Sequence, residues 1–335
     1  MSETRAFEWG PASGVGSMPG GDARETAKTV TGSFEDFPHL PELPARGPGA
    51  DMIGRTLGML VEMYAHVEPS GWRISDRPGR DTRRAGSWLG EDLDALEEFT
   101  QGYEGPLKVQ AVGPWTLAAA LELRGGEAVL SDPGACRDLA GSLAEGLRDH
   151  LAEVRRRVPG ARVALQLDEP SITAVLRGQV RSASGYRTHR ATDRQVVEAT
   201  LREVIGDETA IVHSCAPDVP FALLRRAGAA AVSFDFTLLT ERDEEAIGEA
   251  VEGGTQLFAG VVPSTDPASA GLSDPGGSVM GVRTLWRRLG LNPGTLAESV
   301  VITPTCGLAG ASPAYARAAL AHCARAARSL ADNPE

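Results

Sequence analysis

The residues best equipped for chemistry lie at the ends of short apolar runs. His213, Ser214 and Cys215 close the run AIVHSC at 210–215. Residues two apart on a strand share a face, so the imidazole and the thiol converge, and mixed nitrogen and sulfur donors suit zinc. Taken alone, the pair reads more readily as a buried structural cysteine beside a histidine satisfied by the backbone. Cys306, in TPTCGLAG, and Asp235, closing VSFDF, change the balance. Individually these would read as core packing and as a helix cap. Together with His213 and Cys215 they form a four-donor set able to hold one metal ion.

Such convergence requires elements that deliver all four side chains to one place. Apolar or β-branched runs recur at 108–113, 162–170, 210–215, 230–236, 256–262 and 300–307, each followed by a turn and a stretch of helical spacing. Apolar residues at three-and-four spacing mark helices over 138–158 and 194–205, and a closing helix follows ASPAY, with Ser312 as N-cap and Pro313 in the first turn. Strand alternating with helix implies a parallel sheet buried on both faces. Asp168, His213, Asp235 and Cys306 stand at the C-terminal ends of four different strands. A (β/α)8 barrel collects its site in that way, whereas an open sheet concentrates it at one switch point. The expected fold is therefore an α/β (β/α)8 TIM barrel over 1–335 as a single domain. It should have an early strand near 14–17 and two less regular units between 33 and 100. The stretches 32–50 and 263–280, rich in Pro and Gly, read as loops, and loops of such length are where lids are found.

Composition removes several classes. The 335 residues are 42% hydrophobic and 23% charged, with a net charge of -12. An acidic chain is a poor partner for nucleic acid, whose binding draws on clustered Lys and Arg. No run of about 18 apolar residues could span a membrane, and the polar opening MSETRAFEWGP lacks a signal-peptide core, so a cytoplasmic protein is expected. Four cysteines are too few and scattered for a disulfide framework, and Cys136 and Cys323 read as helix packing. The two lysines, Lys28 and Lys108, stand apart from other chemistry, so no site is expected at either.

The motifs GVGSMPG, LQLDEPS, VHSCAPDV, VSFD and TPTCGLAG, in this order along nearly the whole chain, resemble the catalytic domain of cobalamin-independent methionine synthases. The resemblance implies a methyltransferase that forms methionine from homocysteine with Zn2+. It implies metal ligands at His213, Cys215, Asp235 and Cys306, with Asp235 standing where the family has Glu. It places the substrate's amino group on Asp168 and its carboxylate at Ser17. The chemistry is coherent without the name. A thiol near pKa 8.5 is mostly protonated at neutral pH, a zinc ion deprotonates it, and methyl transfer needs the thiolate. A carboxylate such as Asp168 answers an ammonium, and turn amides around Gly16 and Ser17 answer a carboxylate. Taken singly, the same two residues read as a helix cap and a turn.

Three departures bear on the donor and the clamp. The Asp at 235 is shorter than Glu. No histidine follows LFAGVVPSTDP, where the family has a catalytic one. The family's amine-binding Glu falls on Arg46 by a gapless count and on Glu42 with a gap. The folate-using enzymes also carry a second, N-terminal barrel that this chain does not show. A methylcorrinoid or corrinoid protein is therefore the expected methyl donor, ahead of methyltetrahydrofolate. The competing readings are a zinc methyltransferase for another thiol, a uroporphyrinogen-decarboxylase-like lyase, and a noncatalytic zinc- or methionine-binding protein.

Overall fold

A computed structural model describes residues 7–266, 272 and 274–334. Its strands are β1 (Tyr64–Glu68), β2 (Gly71–Ser75), β3 (Pro106–Val112), β4 (Leu121–Glu122), β5 (Arg162–Asp168), β6 (Ala210–Ser214), β7 (Ala231–Asp235), β8 (Gln256–Val262) and β9 (Val300–Pro304). Six of them form one parallel sheet in the order β3-β5-β6-β7-β8-β9. These are the six runs expected from sequence.

Two short irregular segments join the free edges of that sheet. Beside β9, Ser13 N donates to Ile302 O at 3.1 Å and Ile302 N donates to Pro11 O at 2.9 Å. Met18 N donates to Glu42 O at 2.9 Å and Glu42 N to Gly16 O at 3.2 Å, which ties the first segment to the second. Leu40 N and Lys108 O at 2.9 Å, with Lys108 N and Pro38 O at 3.0 Å, then tie the second to β3. Backbone groups left unpaired at a buried edge are costly, and this relay satisfies them all the way round, giving the TIM-barrel form. Residues 32–50 are thus more than a loop: 38–42 serves as a stave, followed by the short turn Pro44–Arg46. Of the two units expected between 33 and 100, only this one belongs to the ring. The other is the antiparallel hairpin β1-β2, which pairs with β4 in a separate small sheet.

Inside the ring the two-residue period sorts side chains into layers. Ala164, Ile211, Ala231, Phe258 and Val301 form an apolar bottom layer with Phe37, and Trp9 packs edge-on to Phe258 at 5.3 Å. Two residues further along the same faces stand Gln166, His213, Ser233 and Thr303, all buried. The alternate positions, such as Leu165, Leu167, Val212, Val232 and Ile302, face the helices in the main core. This two-sided burial explains why the strands read as nearly continuous apolar runs.

The expected helices are present. Pro133–Arg157 starts at Asp132, whose carboxylate accepts from Gly134 N and Ala135 N. Arg194–Ile205 is capped by Asp193, and Pro313–Asp332 by Ser312, whose hydroxyl accepts from Tyr315 N at 3.2 Å. The stretch 263–280 was expected as a loop. Part of it, 267–271 and 273, lies outside the described residues, and Pro275–Ser278 is helical. No helix among the described residues is long and apolar enough to cross a membrane.

Candidate active site at the barrel mouth

The strand ends bring three of the four expected donors together. His213, Cys215 and Cys306 present ligand atoms that all lie within 4.8 Å of one another. The two sulfurs are 3.1 Å apart. His213 is 3% exposed, and its Nδ1 lies 2.8 Å from the Ser233 hydroxyl on the neighbouring strand, where the two residues are paired in register. Its Nε2 is buried and has no hydrogen-bond partner. Nδ1–H donating to Ser233 leaves the Nε2 lone pair directed at an absent partner, the arrangement a metal-binding imidazole requires. The hydrogen bond with Cys215, and then the proximity of His213, pull the Cys306 thiol down to about 4 against the effect of burial. The same bond and burial push Cys215 up. One imidazole nitrogen and two sulfurs, with an orphaned buried nitrogen among them, fit a zinc ion.

Asp235 stands apart from this group. It ends β7 on the inward face, two residues beyond Ser233, and its Oδ1 accepts from Thr237 N at 2.9 Å and Thr237 Oγ1 at 2.6 Å. In this conformation it caps the turn Phe236–Leu238.

Beside the three donors lies a buried polar cluster. Asp168 pairs in register with His213, is 7% exposed, and accepts from Gln166 Nε2 at 2.7 Å through Oδ1. Burial raises its pKa, with His213 and Lys108 opposing. Ser17 sits against the Cys306 turn, its carbonyl accepting from Leu308 N at 2.7 Å. A Cβ on Gly307 would fall 2.0 Å from Ser17 Oγ, so only glycine lets the two segments meet this closely. Ser17 also forms a parallel bridge with Glu42. Glu42 is 3% exposed, with Oε1 lacking a partner and its carboxyl pushed up to about 7, chiefly by burial.

Arg46 and Glu42 point to different places. Arg46 turns away, its Nη2 bonding both Asp92 oxygens at 2.7 and 2.8 Å and its guanidinium lying over Trp88. Glu42 is the acid at the mouth. Lys108, from which no site was expected, is also there: its Nζ donates to Val15 O at 2.6 Å and Gln166 Oε1 at 2.7 Å. Next to it, Gln110 Nε2 donates to Leu40 O at 2.6 Å. The missed signal was periodic. Lys108 and Gln110 on β3, and Gln166 and Asp168 on β5, place polar residues two apart inside otherwise apolar strands.

A parallel barrel with nitrogen and sulfur donors beside buried carboxyl groups at its C-terminal mouth defines the class of molecule, an α/β barrel enzyme with a site able to hold a metal ion. The model of the cobalamin-independent synthase catalytic domain matches residues 11–329, and the chain belongs to that family. It is a methyltransferase of the methionine-synthase type. Among solved structures it is similar to a B12-independent methionine synthase from Shewanella sp. W3-18-1 in complex with selenomethionine. That match has 13% identity and a TM-score of 0.63, covering 96% of this chain and 98% of that one. It is also similar to a methyltransferase from Methanosarcina mazei, with 13% identity and a TM-score of 0.57, covering 96% and 93%. At such identity the likeness shows the shared fold. No curated protein sequence matches the chain.

If Ser233 fixes the histidine for a metal, Ser233→Ala should weaken zinc binding about 10–100-fold, the usual effect of removing such a partner. Chelator competition on both proteins measures it, and unchanged affinity would remove Ser233 from the site.

Proposed function

We propose that this protein transfers a methyl group to the thiol of homocysteine, forming methionine, with Zn2+ held by His213, Cys215 and Cys306. The observation that carries the reading is the unpartnered Nε2 of His213 beside two sulfurs, with the buried Asp168 close to them and Glu42 close to Asp168. A zinc ion held there would supply the Lewis acidity that keeps a coordinated substrate thiol deprotonated at neutral pH.

The remaining work falls to the chain itself. Asp168 and Glu42 are two buried acids whose carboxyl groups burial pushes up despite the charges of Arg55 and Lys108 near Glu42 and of His213 and Lys108 near Asp168. A cationic ligand such as an α-ammonium would therefore be favoured between them. The turn at Gly16 and Ser17, packed on Gly307, offers its amides and hydroxyl to the α-carboxylate. Holding both groups fixes where the side-chain sulfur can reach. This favours an amino-acid thiol over other thiol acceptors. A decarboxylase-like lyase would leave the nitrogen-sulfur set without a use, and membership of a methyltransferase family argues against both that reading and a noncatalytic binder.

Asp235 completes the proposal as fourth donor. It lies on the inward row of β7, and both of its bonds go to Oδ1, leaving Oδ2 for a metal. Asp235→Ala should lose zinc affinity and Asp235→Glu should keep it. Metal held at parental affinity by the Ala protein would leave Asp235 with its capping role alone.

For the donor we propose a methylcorrinoid or corrinoid protein over methyltetrahydrofolate. Folate nitrogen must be protonated before it leaves, and no histidine lies between Val262 and His322 to deliver that proton. A corrinoid already leaves readily. The family's description as cobalamin-independent weighs against this half of the proposal, so the assay must offer both donors. With homocysteine and zinc-loaded protein, methionine should form, and Cys306→Ser should abolish it. Methylcobalamin should outpace methyltetrahydrofolate by about 10²–10⁴-fold, the usual worth of a positioned acid. No methionine from either donor would overturn the function; faster turnover with the folate would overturn only the choice of donor.

A further inference from the structure

Lys108 is 1% exposed, at the inner face of β3, and neither metal binding nor methyl transfer as described above uses it. Burying an ammonium is costly unless its donors are matched, and here the matches are specific. Nζ donates to Val15 O at 2.6 Å and to Gln166 Oε1 at 2.7 Å. An ammonium can only donate, so Gln166 must turn its amide oxygen toward Lys108. Its NH2 group is thereby forced to the other side, where it donates to Val15 O at 2.9 Å and Asp168 Oδ1 at 2.7 Å. That second bond fixes the Asp168 carboxylate through one oxygen and leaves Oδ2 for a ligand. Val15, held twice, lies two residues before Ser17 in the segment that meets the Cys306 turn.

We propose that Lys108 is a positioning residue for amino-acid recognition: by dictating the orientation of Gln166 it aims Asp168 at the substrate's ammonium. This rests on the amino-acid clamp proposed above. A glutamine free to flip would present its oxygen to Asp168 and turn the carboxylate away, so Lys108 makes the preference for an α-amino group a built feature of the barrel interior. Burial pulls the Lys108 ammonium down to about 8, and the nearby carboxylates of Asp168 and Glu42 oppose it.

The test is a binding measurement that needs no turnover. Zinc-loaded protein is titrated calorimetrically with methionine and with 4-(methylsulfanyl)butanoate, the same molecule without its amino group. The parent should prefer methionine. In Lys108→Met the preference should fall by at least about tenfold, as expected for losing a hydrogen bond to a charged group. Affinity for the desamino compound and zinc content should stay unchanged. Gln166→Glu, which keeps an acceptor for Lys108 but puts a carboxylate against Asp168, should lose the same preference and decides the matter if Lys108→Met does not fold. Equal weakening of both ligands would show a general structural role and overturn the proposal. A parent preference retained in the variants overturns this inference alone, whereas a parent with no preference for methionine overturns the clamp and this inference together.

Discussion

A parallel ring closes only when the backbone groups of its last edge find partners, and here that closure is made by two segments too short and irregular to be strands. The bonds from Ile302 to 11–13, from 16–18 to Glu42, and from 38–40 to Lys108 complete the circle. They also decide the site. Ser17 and Glu42 reach the mouth only because their backbones take up stave positions, and Cys306 faces them only because β9 is the neighbouring strand. Loosening the closure would carry Ser17 and Glu42 away from Asp168 and the donor set, and would break the bonds from Lys108 and Gln166 to Val15 O.

The interior of the ring shows a gradient that the closure makes possible. Aromatic and aliphatic side chains fill the bottom around Phe37 and Phe258, where nothing polar could be satisfied. The middle layer is hydrogen-bonded and buried: His213 to Ser233, and Lys108 through Gln166 to Asp168. The top carries the half-buried thiols. Each chemically active group thus stands on a layer that fixes its orientation, as precise positioning of reactive side chains requires. Glu169, next to Asp168, is held from the other side by Trp115 N, Thr116 N and Thr116 Oγ1, which locks the end of β5 to the helix Pro114–Ala120 that follows β3.

Much of this was legible in the sequence because strand period and strand ends are local properties. The six apolar runs are the six strands, and His213, Cys215 and Cys306 meet as their positions at strand ends imply. Caps at Asp132, Asp193 and Ser312 are also local, and they start the helices expected there or close by. What the sequence hid is non-local. Residues 38–42 hold their place through bonds to partners far along the chain, so a Pro-rich stretch conceals a stave. Lys108 looked isolated because its partners, Val15 and Gln166, are far from it in sequence and near only across the ring. Counting could not show that Arg46 and Glu42 point apart, since that depends on Asp92, far along the chain, drawing the arginine away. Asp235 remained ambiguous for the opposite reason: its capping bonds are local and satisfied, while its place on the inward row also suits a ligand.

The proposed chemistry requires substrate sulfur to join a metal held by one imidazole and two thiols. X-ray absorption at the zinc edge, on protein loaded with one equivalent, reads that shell directly. Two sulfurs at about 2.3 Å with lighter donors near 2.0–2.2 Å are expected before substrate, and homocysteine should add a third sulfur that methionine does not add to the same extent. A shell of oxygen and nitrogen alone, or one that homocysteine leaves unaltered, would contradict the site as drawn from His213, Cys215 and Cys306.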